Sequence, residues 1–457
     1  MTAEPDRFAS LREALSDAAL TTDPDIMQSY RQDWARDPDA VLPAAVVRAR
    51  NTEDVQAVMR WATANRVSVV PRGAGSGLSG GATAVADCIV LSTELMRNFE
   101  IDPVTRVAVV EPGLLNVEVK NAAAEHGLWY PPDPSSFEMC SIGGNVATNA
   151  GGLCCVKYGV TADYVLALRV VLSDGTAVRL GGPRLKEVAG LSLTKLFVGS
   201  EGTLGVITEA TLRLIPQQPP SCTLVAPFPS VQSAADAVLA ITRTLRPSML
   251  EFMDRVSIGA VEDAMRMGLD REAEAMLIVR SDAPGDVAAL EIARISDACT
   301  ENGADEVFTT HDPEEGEAFA AARRAAIPAV ERLGSLLLED VGVPVPKLPA
   351  LVTGIEEIAA RHDVMVAVIA HAGDGNTHPL IVFDPEDTDM TARAHLVFGE
   401  IMDLAIGLGG TITGEHGVGR LKKAWLPDQV GTDVMALTER IKTALDPLGI
   451  LNPGAVL

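Results

Sequence analysis

Residues 71–82 read PRGAGSGLSGGA and contain five glycines between positions 73 and 81. Gly75, Gly77 and Gly80 have the G-x-G-x-x-G spacing of a Rossmann dinucleotide-binding turn, which a helix must follow directly. The next residues instead lead into a strand-like run at 88–91, so the sequence argues against a Rossmann site. Glycines at this density still allow backbone N–H groups to surround an anion such as a pyrophosphate. A flexible loop is the alternative interpretation.

Two further glycine clusters lie downstream of the first. Residues 141–152 read SIGGNVATNAGG, residues 199–208 read GSEGTLGVIT, and a rigid turn, PPDPSS, occupies 131–136. These loops carry small polar side chains and almost no basic ones. Three such loops indicate a long ligand that is bound mainly by the backbone, and a dinucleotide with a diphosphate bridge meets that requirement.

The length and charge of the chain limit the classes of protein to consider. Its 457 residues are enough for two or three domains, and a composition of 47% hydrophobic and 22% charged residues is globular. The formal net charge of −25 argues against nucleic acid as a partner, because nucleic-acid affinity depends on Lys and Arg. The acidity is typical of a soluble cytoplasmic protein.

The N-terminus and the cysteines bear on the compartment. Residues 1–7 lack the basic and apolar regions of a signal peptide, and no apolar run approaches the ~18 residues of a membrane span, so we expect no signal peptide and no integral membrane segment. The six cysteines form no C-x-x-C pair, which argues against iron–sulfur clusters and zinc ribbons. We therefore expect a cytoplasmic protein whose cysteines are reduced thiols. Any association with a membrane would require a partner protein.

The hydrophobic pattern predicts an α+β fold that divides near the proline-rich residues 216–220. An amphipathic helix is predicted at 52–64 with Thr52 as its cap, followed by a strand at 67–70. A tight turn at Asp174-Gly175 is predicted to join strands at 165–172 and 176–180. The remaining predicted elements are strands at 203–214, 274–281, 364–370 and 379–383 and helices at 232–246, 285–302, 312–333, 347–361, 387–408 and 432–446.

Five segments, taken in order, carry a resemblance to a known family. PRGAGSGLSGGA, PPDPSS, IGGNVATNAGG, KYG at 157–159 and GSEGTLGVIT together resemble the FAD-binding domain of the vanillyl-alcohol oxidase / p-cresol methylhydroxylase superfamily. The chain is most similar to the branch that contains the FAD-linked D-lactate dehydrogenases and the flavin-binding subunits of glycolate oxidases, over residues 38–457. The resemblance implies an FAD-dependent 2-hydroxyacid dehydrogenase or oxidase that acts on a CH–OH group.

The resemblance also implies a domain organisation. Residues 38–217 would form a PCMH-type (p-cresol methylhydroxylase-type) FAD-binding domain of two α+β subdomains, after an N-terminal helical lead-in at 1–37. Residues 218–410 would form a substrate-binding cap domain with an antiparallel sheet flanked by helices. Residues 411–457 would return to the flavin domain.

The same resemblance implies how FAD is held. The first loop contains no histidine for the covalent flavin link of some superfamily members, so FAD is expected to bind non-covalently, and His126 is interpreted as a helix-end residue. The residues that the resemblance places around FAD are Arg72, Gly73, Ala74, Gly75, Ser76, Gly77, Leu78, Ser79, Gly80, Pro132, Asp133, Ser135, Ser136, Gly143, Gly144, Asn145, Thr148, Asn149, Gly151, Gly152, Glu201, Gly205, Val206, Ile207 and Asn452. For Asn452, an ordinary chain end is the alternative.

Two histidine-containing segments, HAGDGNTHP at 371–379 and GEHGVGR at 414–420, suggest a metal site. His371 and His378 flank a glycine-rich bend, and Glu415 offers an oxygen ligand, so the three suit Zn²⁺, Mn²⁺ or Fe²⁺. Glu415 and His416 would point to opposite faces of a strand, but the glycines around them permit an irregular backbone. Hydrogen-bonded loop histidines are the alternative, because H-x₆-H is not a specific signature.

The resemblance assigns roles to these residues. The residues of relatives that match His371, His378 and Glu415 bind a divalent metal, here Zn or Mn with Fe as an alternative. The residue that matches His416 is the general base, which takes the hydroxyl proton while the hydride passes to flavin N5. Arg323 matches the arginine that meets the substrate carboxylate, and Lys347 is a second candidate for that role.

Two departures from the family pattern bear on the substrate. Relatives that act on 2-hydroxyglutarate carry Asn at the position of Leu380 and Lys at that of Leu338, so we expect a small monocarboxylate such as D-lactate or glycolate. The alternatives are a bulkier or dicarboxylic acid such as D-2-hydroxyglutarate, the flavin subunit of a multi-subunit glycolate oxidase complex, and a flavin-free metallohydrolase. The expected electron acceptor is a quinone, a partner iron–sulfur protein, a soluble carrier or dioxygen, and a homodimer is a further alternative.

Overall fold

The proline-rich residues 216–220 lie where the chain passes from one compact unit to another. The computed structural model describes residues 6–15 and 19–457. Its first unit comprises Met1–Ala150, Val160–Gln217 and Glu415–Leu457, and its second comprises Gly151–Gly159 and Gln218–Gly414. Residues 1–5 and 16–18, which hold part of the predicted lead-in and of the expected N-terminus without a signal peptide, lie outside the described residues.

The first unit contains two larger sheets. The strands of the four-stranded sheet, in spatial order, are β1 (Leu20–Thr21), β2 (Ala45–Arg48), β4 (Ile89–Ser92) and β3 (Val69–Arg72), and β4 pairs in parallel with both β2 and β3. The strands of the five-stranded sheet, in spatial order, are β5 (Phe99–Asp102), β6 (Val107–Val110), β10 (Val206–Arg213), β8 (Val165–Val171) and β9 (Ala177–Gly181), and every pair in it is antiparallel. A separate two-stranded sheet is formed by β7 (Leu128–Trp129) and β11 (Ile215–Pro216). The predicted hairpin at Asp174-Gly175 is the β8–β9 hairpin, and Gly175 has a positive φ of 82°.

Helices pack on these sheets around apolar cores. The helices of the first unit are α1 (Ala9–Ala14), α2 (Pro24–Met27), α3 (Thr52–Asn65), α4 (Asn116–Ala124), α5 (Ile142–Thr148), α7 (Leu193–Phe197), α15 (Leu426–Val430) and α16 (Thr432–Leu445), with 3₁₀ turns at Gln28–Tyr30, Thr161–Asp163 and Lys423–Trp425. From α3, Val55, Val58 and Met59 are fully buried against β2, β3 and β4. The C-terminal residues belong to the same core, because Leu451 bridges Val69 at the edge of β3.

The predicted cap of α3 was wrong by one residue. Asn51 is the N-cap, and its side chain accepts a hydrogen bond of 2.8 Å from the backbone N–H of Asp54. Thr52 instead occupies the first helical position and is buried. Both residue types cap helices well, but only Asn51 has the extended backbone from which a short side chain reaches the third helical N–H.

The second unit is built on one eight-stranded antiparallel sheet covered by helices. The strands, in spatial order, are β15 (Phe308–Thr310), β12 (Cys222–Phe228), β14 (Ala275–Ser281), β13 (Met249–Asp254), β18 (Met365–His371), β19 (Asn376–Phe383) and β16 (Ser335–Leu338), with β17 (Val341–Gly342) also on β19. The helices are α6 (Cys155–Tyr158), α8 (Val231–Thr242), α9 (Arg255–Met265), α10 (Asp286–Glu301), α11 (Pro313–Arg324), α12 (Ala326–Val330), α13 (Leu348–His362) and α14 (Thr388–Gly407), with 3₁₀ turns at Glu331–Leu333 and Val345–Lys347. The α+β prediction is confirmed.

The second unit differs from the prediction in several elements. The single helix expected at 312–333 is interrupted at Ala325, because Pro328 lacks the N–H that would continue the hydrogen bonding of α11. The helix α9 and the strands β12, β13, β15, β16 and β17 were not predicted. Every residue of β13 is buried, so the strand has no polar alternation by which a sequence reader would recognise it.

The described helices do not include one that is both long and apolar enough to cross a membrane. All six cysteines are free thiols, and five of them are buried.

A buried carboxylate secures the segment Gly151–Gly159 within the second unit. Asp282 accepts hydrogen bonds from the Lys157 ammonium, the Tyr158 hydroxyl and, at 2.9 Å, the Gln218 amide. Burial by itself raises the pKa of Asp282, but the hydrogen bonds and the charge of Lys157 outweigh it, so the pKa lies below the usual value. The ionised carboxylate therefore stabilises the folded unit.

We expect Asp282→Asn to lower the free energy of unfolding by about 1–3 kcal/mol at pH 7, because it leaves the partly buried Lys157 ammonium without its carboxylate. The difference should shrink as the pH falls through the usual aspartate pKa of 3.8 toward the lower pKa of Asp282 in the folded protein, since a lowered pKa stabilises only while the group is ionised. Urea unfolding at several pH values measures both effects. Asp297→Asn, on the exposed side of α10, is the matched control and should change little.

Candidate active site

The three glycine clusters of the first unit contact one another. The backbone N–H of Ala74, in the first loop, donates to Ser141 Oγ of the second at 3.2 Å. The third loop is joined to the second by the backbone N–H of Glu201, which donates to the carbonyl of Ala147 at 2.8 Å. The prediction that three separate loops serve one ligand thus has a physical basis within the first unit.

The first loop has the backbone of an anion cradle. Among the described residues, no protein acceptor receives the N–H groups of Gly75, Ser76, Gly77 or Leu78, and all four residues are only half-buried. Gly75 has a φ of +75°, and a Cβ there would collide with the guanidinium of Arg72. Several unused donors on a glycine backbone fit the diphosphate of FAD.

Arg72 and Asp33 form hydrogen bonds that support this loop. The Arg72 guanidinium donates to the carbonyls of Gln32, at 2.9 Å, and Ser29, at 3.3 Å, and burial lowers the pKa of the group. Asp33 accepts from the N–H of Ala82 at 3.2 Å, and burial raises its pKa to about 6. The role of Asp33 was not predicted, and the predicted contact of Arg72 with the cofactor stays a prediction.

The proline-rich turn lies beside the second glycine cluster. Asn116 donates to the carbonyl of Pro132 at 3.2 Å and to Asn145 Oδ1 at 3.0 Å, which links the two predicted segments. Gly143 must be glycine, because a Cβ would lie 2.5 Å from Pro112. The other predicted cofactor residues of this region lie as follows: Asp133, Ser135 and Ser136 in the turn, Gly144, Thr148 and Asn149 on or at the end of α5, and Gly151 and Gly152 in the second unit.

Glu201 joins the third loop to the segment 414–420. It has a left-handed φ of 49°, and its carboxylate accepts the N–H groups of Val418 and Gly419, each at 2.8 Å. Asn452 also contacts this point, because its amide donates to the carbonyls of Glu201, at 2.7 Å, and Gly81, at 2.8 Å. Burial raises the pKa of Glu201 to about 7.

The same segment contacts the first loop through Ser79. Ser79 Oγ donates to the carbonyl of Gly417 at 2.7 Å, and the N–H of Arg420 donates to the carbonyl of Ser79 at 2.9 Å. A Cβ on Gly419 would collide with that carbonyl. The backbone next to His416 is therefore bound to two of the glycine loops, and His416 Nε2 lies 3.8 Å from Glu415 Oε1.

In the second unit, His371 and His378 lie on one face of the β18–β19 hairpin. His378 pairs with Ile369, two residues before His371, so the two histidines are diagonal neighbours on the same side of the sheet. Their ring centroids are 5.2 Å apart, with the planes at 87°. The turn between them needs Gly375, whose φ is 86° and where a Cβ would collide with the Val343 carbonyl.

A buried carboxylate and a buried arginine adjoin His371. Both oxygens of Glu251, on β13, lie within hydrogen-bonding distance of His371 Nδ1, at 2.8 and 2.9 Å. Arg323, on α11, lies 2.9 Å from Glu251 Oε2, and the two side chains are only 2% and 1% exposed. Arg323 was predicted to bind a substrate carboxylate, which stays a prediction; the carboxylate that it contacts in the protein is Glu251.

Asp340 connects His378 with the chain that leads to Glu415. His378 Nδ1 lies 3.4 Å from the carbonyl of Glu339 and 3.8 Å from Asp340 Oδ1. The other oxygen of Asp340 accepts from the Thr413 hydroxyl at 2.6 Å and from the N–H of Gly414 at 3.0 Å. Gly414 immediately precedes Glu415.

These donors suit a divalent metal. His371 and His378 both direct Nδ1 at a protein oxygen, which leaves the lone pair of a neutral ring on Nε2, the arrangement usual for metal-binding histidines. Glu251, beside His371, and Asp340, beside His378, were not among the predicted site residues. Glu251 could have been found as the single acidic residue in the apolar run MLEFM, but nothing near Asp340 in the sequence shows that it approaches Gly414.

Comparison with known proteins identifies the family. A family model described as "FAD binding domain" matches residues 43–181, and one described as "FAD linked oxidases, C-terminal domain" matches residues 217–456. Among curated proteins, glycolate oxidase subunit GlcD of Bacillus subtilis is 40% identical over 416 residues, covering 90% of this chain and 88% of that protein. The chain therefore belongs to the FAD-linked oxidase family.

Two further relatives and one solved structure extend this result. D-lactate dehydrogenase of Archaeoglobus fulgidus is 36% identical and covers 94% of this chain and 95% of that protein, and D-2-hydroxyglutarate dehydrogenase of Xanthomonas citri is 35% identical, with 98% and 96% covered. The structure of p-cresol methylhydroxylase with substrate bound aligns with a TM-score of 0.81 at 16% identity, covering 98% and 95% of the two chains, which supports the fold alone.

These matches confirm the predicted superfamily, the PCMH-type fold, the FAD cofactor and the enzyme class. The protein is an FAD-dependent oxidoreductase that acts on CH–OH groups. The individual site residues are not tested by the matches and stay predictions.

The raised pKa of Glu201 predicts that the stability of the folded protein depends on pH. Its pKa of about 7 lies above the usual 4.5, so its ionisation destabilises the folded state as the pH rises from about 4.5 to about 7. In Glu201→Gln, the fall in unfolding free energy across this window should be smaller than in the wild type by roughly 2–3 kcal/mol. Unfolding midpoints in urea at pH 5 to 8 measure the difference; the exposed Glu439→Gln is the control and should follow the wild type.

Proposed function

We propose that the protein oxidises a small 2-hydroxy acid, D-lactate or glycolate, to the 2-oxo acid. The relatives at 40% and 36% identity are named for glycolate oxidase and D-lactate dehydrogenase. The observation that carries the proposal is that the backbone next to His416 is hydrogen-bonded to Ser79 of the first glycine loop and to Glu201 of the third. We infer that these loops hold FAD, as the family resemblance implies, and that the imidazole of His416 is the base beside it.

The proposed roles divide between the bound groups and the chain. The three glycine loops would hold FAD, which would supply a hydride acceptor, and His371, His378 and Glu415 would hold a divalent metal, which would supply positive charge that lowers the pKa of the substrate hydroxyl. His416 removes the hydroxyl proton. Arg323 supplies positive charge for the substrate carboxylate, and Lys347, which is exposed at the start of α13, is the second candidate.

Two leucines favour a monocarboxylate. Leu338 on β16 lies directly opposite Leu380 on β19, and Leu380 is fully buried two residues after His378, on the same face. A second substrate carboxylate against this pair would lose its hydration without gaining a partner. D-2-hydroxyglutarate is therefore the less favoured substrate, although one relative is named for its oxidation.

The second candidate function is that of a flavin subunit in a larger complex. The Bacillus subtilis relative is named as a subunit of glycolate oxidase. Under this proposal, the substrate reduces the flavin but a partner protein takes the electrons. Slow turnover with dioxygen and soluble dyes, despite fast reduction of the flavin, would favour a partner; fast turnover with a quinone analogue would favour the isolated enzyme.

We expect D-lactate or glycolate to bleach the flavin absorbance near ~450 nm under anaerobic conditions. His416→Asn should retain the oxidised flavin spectrum but slow its reduction by about 10²–10⁴-fold, since a placed base contributes that much. Stopped-flow absorbance measures the rate, and His395→Asn, exposed on α14, is the matched control. Fast bleaching in His416→Asn would show that another group takes the proton.

Leu338→Lys should shift the substrate preference. We expect the wild-type kcat/KM for D-lactate to exceed that for D-2-hydroxyglutarate by about 100-fold or more, because a buried unpaired carboxylate is costly. The lysine variant should narrow this ratio by lowering the KM for D-2-hydroxyglutarate. Leu336→Lys, two residues earlier on the same face and opposite Val382, is the control. A wild type that prefers D-2-hydroxyglutarate would contradict the assignment.

A further inference from the structure

We propose that Glu251 is a positioning residue that holds His371 with its proton on Nδ1 and its lone pair on Nε2, and that Arg323 acts through Glu251. The Zn²⁺ experiment below rests on the proposed function at one point, namely that Nε2 of His371 binds a metal, whereas the tautomer of His371 does not depend on it. The proposal replaces the role given to Arg323 under the proposed function, contact with the substrate carboxylate, because the carboxylate that Arg323 contacts is Glu251.

The sheet places Glu251 opposite His371. In the antiparallel pair β13–β18, Phe252 pairs with Ala370 and Met253 with Ile369, so the next position brings Glu251 to His371 on the adjacent strand. Both carboxylate oxygens lie within 2.9 Å of Nδ1. A carboxylate only accepts hydrogen bonds, so Nδ1 must be the donor, and a neutral ring then carries its lone pair on Nε2.

Arg323 balances the charge of Glu251. The Glu251 side chain is 1% exposed, and a carboxylate at such depth requires a paired cation. Arg323 supplies it at 2.9 Å from α11, with its own side chain 2% exposed. Because the pair is internal to the second unit, the charge of Arg323 is already compensated before any substrate arrives.

The two histidines are oriented by different means. His378 directs Nδ1 at the backbone carbonyl of Glu339, at the long distance of 3.4 Å, whereas His371 has a charged acceptor at 2.8 Å. The carboxylate interaction is the stronger one, because a charge-assisted hydrogen bond exceeds a neutral one. Loss of Glu251 should therefore affect His371 more than any single change at Glu339 would affect His378.

The first experiment measures Zn²⁺ affinity in the FAD-loaded, substrate-free protein by chelator competition. Glu251→Gln should weaken binding by about 10–100-fold, as is typical when the hydrogen-bond partner of a metal ligand is lost. Arg323→Met should weaken it in the same direction, because Glu251 then lacks the cation that keeps a buried carboxylate ionised and in place. The double variant should weaken it by less than the product of the two, because both changes act on one interaction.

A matched control variant distinguishes the two possible roles of Arg323, which are to act through Glu251 or to bind the substrate carboxylate. Arg324→Met, on the next residue of α11, removes a pair with Glu317 on the same helix and should leave Zn²⁺ affinity unchanged. If Arg323→Met also leaves Zn²⁺ affinity unchanged and only raises the KM of the substrate, Arg323 binds the substrate directly and the proposal is wrong. Retention of the flavin spectrum checks the folding of each variant. The double variant removes both charges of the Glu251–Arg323 pair, so it leaves no buried charge unpaired.

The second experiment reads the tautomer directly. In metal-free protein with ¹⁵N-labelled histidine, the His371 signals, assigned with His371→Asn, should show a protonated Nδ1 and an unprotonated Nε2. Glu251→Gln offers one oxygen to two donors, so the population protonated on Nε2 should rise. A wild-type ring protonated on Nε2 would overturn the proposal. A wild type that binds no Zn²⁺, Mn²⁺ or Fe²⁺ but shows the Nδ1 proton would instead remove the metal from the proposed function and leave the role of Glu251 intact.

Discussion

The carboxylate of Glu201 is the interaction on which the first unit depends. It lies buried on a left-handed residue of the third glycine loop and receives two backbone N–H groups from the segment that carries His416. Its own carbonyl receives the amide of Asn452, which also binds Gly81 in the first loop. Because both the carboxylate and the backbone carbonyl of Glu201 accept hydrogen bonds, this residue links the third glycine loop to the His416 segment and to the C-terminal Asn452, which are distant in sequence. Burial of the charge is the cost, and the raised pKa of Glu201 is its consequence.

In the second unit, polar groups lie on a largely apolar face of the sheet. One face of its sheet carries Leu380, Ile369 and Met253 against the helices α9, α11 and α12, and the same face carries Glu251, His371 and His378 at the hairpin end. Each polar group there has a charged or backbone partner. The arrangement is stable because no member enters the low-dielectric interior alone.

Much of the candidate site could be predicted from local sequence patterns. The glycine loops, the absence of a histidine tether in the first of them, and the clustering of His371, His378 and Glu415 around glycine-rich turns are properties of short segments. The cap of α3 and the break at Ala325 show the limit of such reading even for helices, because the outcome depends on which of two adjacent residues has the extended backbone and on a proline three residues ahead.

The sequence by itself determined the family, the cofactor and the residue types available for chemistry, because glycine spacing and histidine placement act through the local backbone. Only the tertiary structure decided which distant groups meet: Glu251 with His371, Arg323 with Glu251, and Asp340 with Gly414. These pairs depend on strand register and on how a helix packs across the sheet. A one-residue slip would turn Glu251 to the other face, and no periodicity within a single segment records that choice.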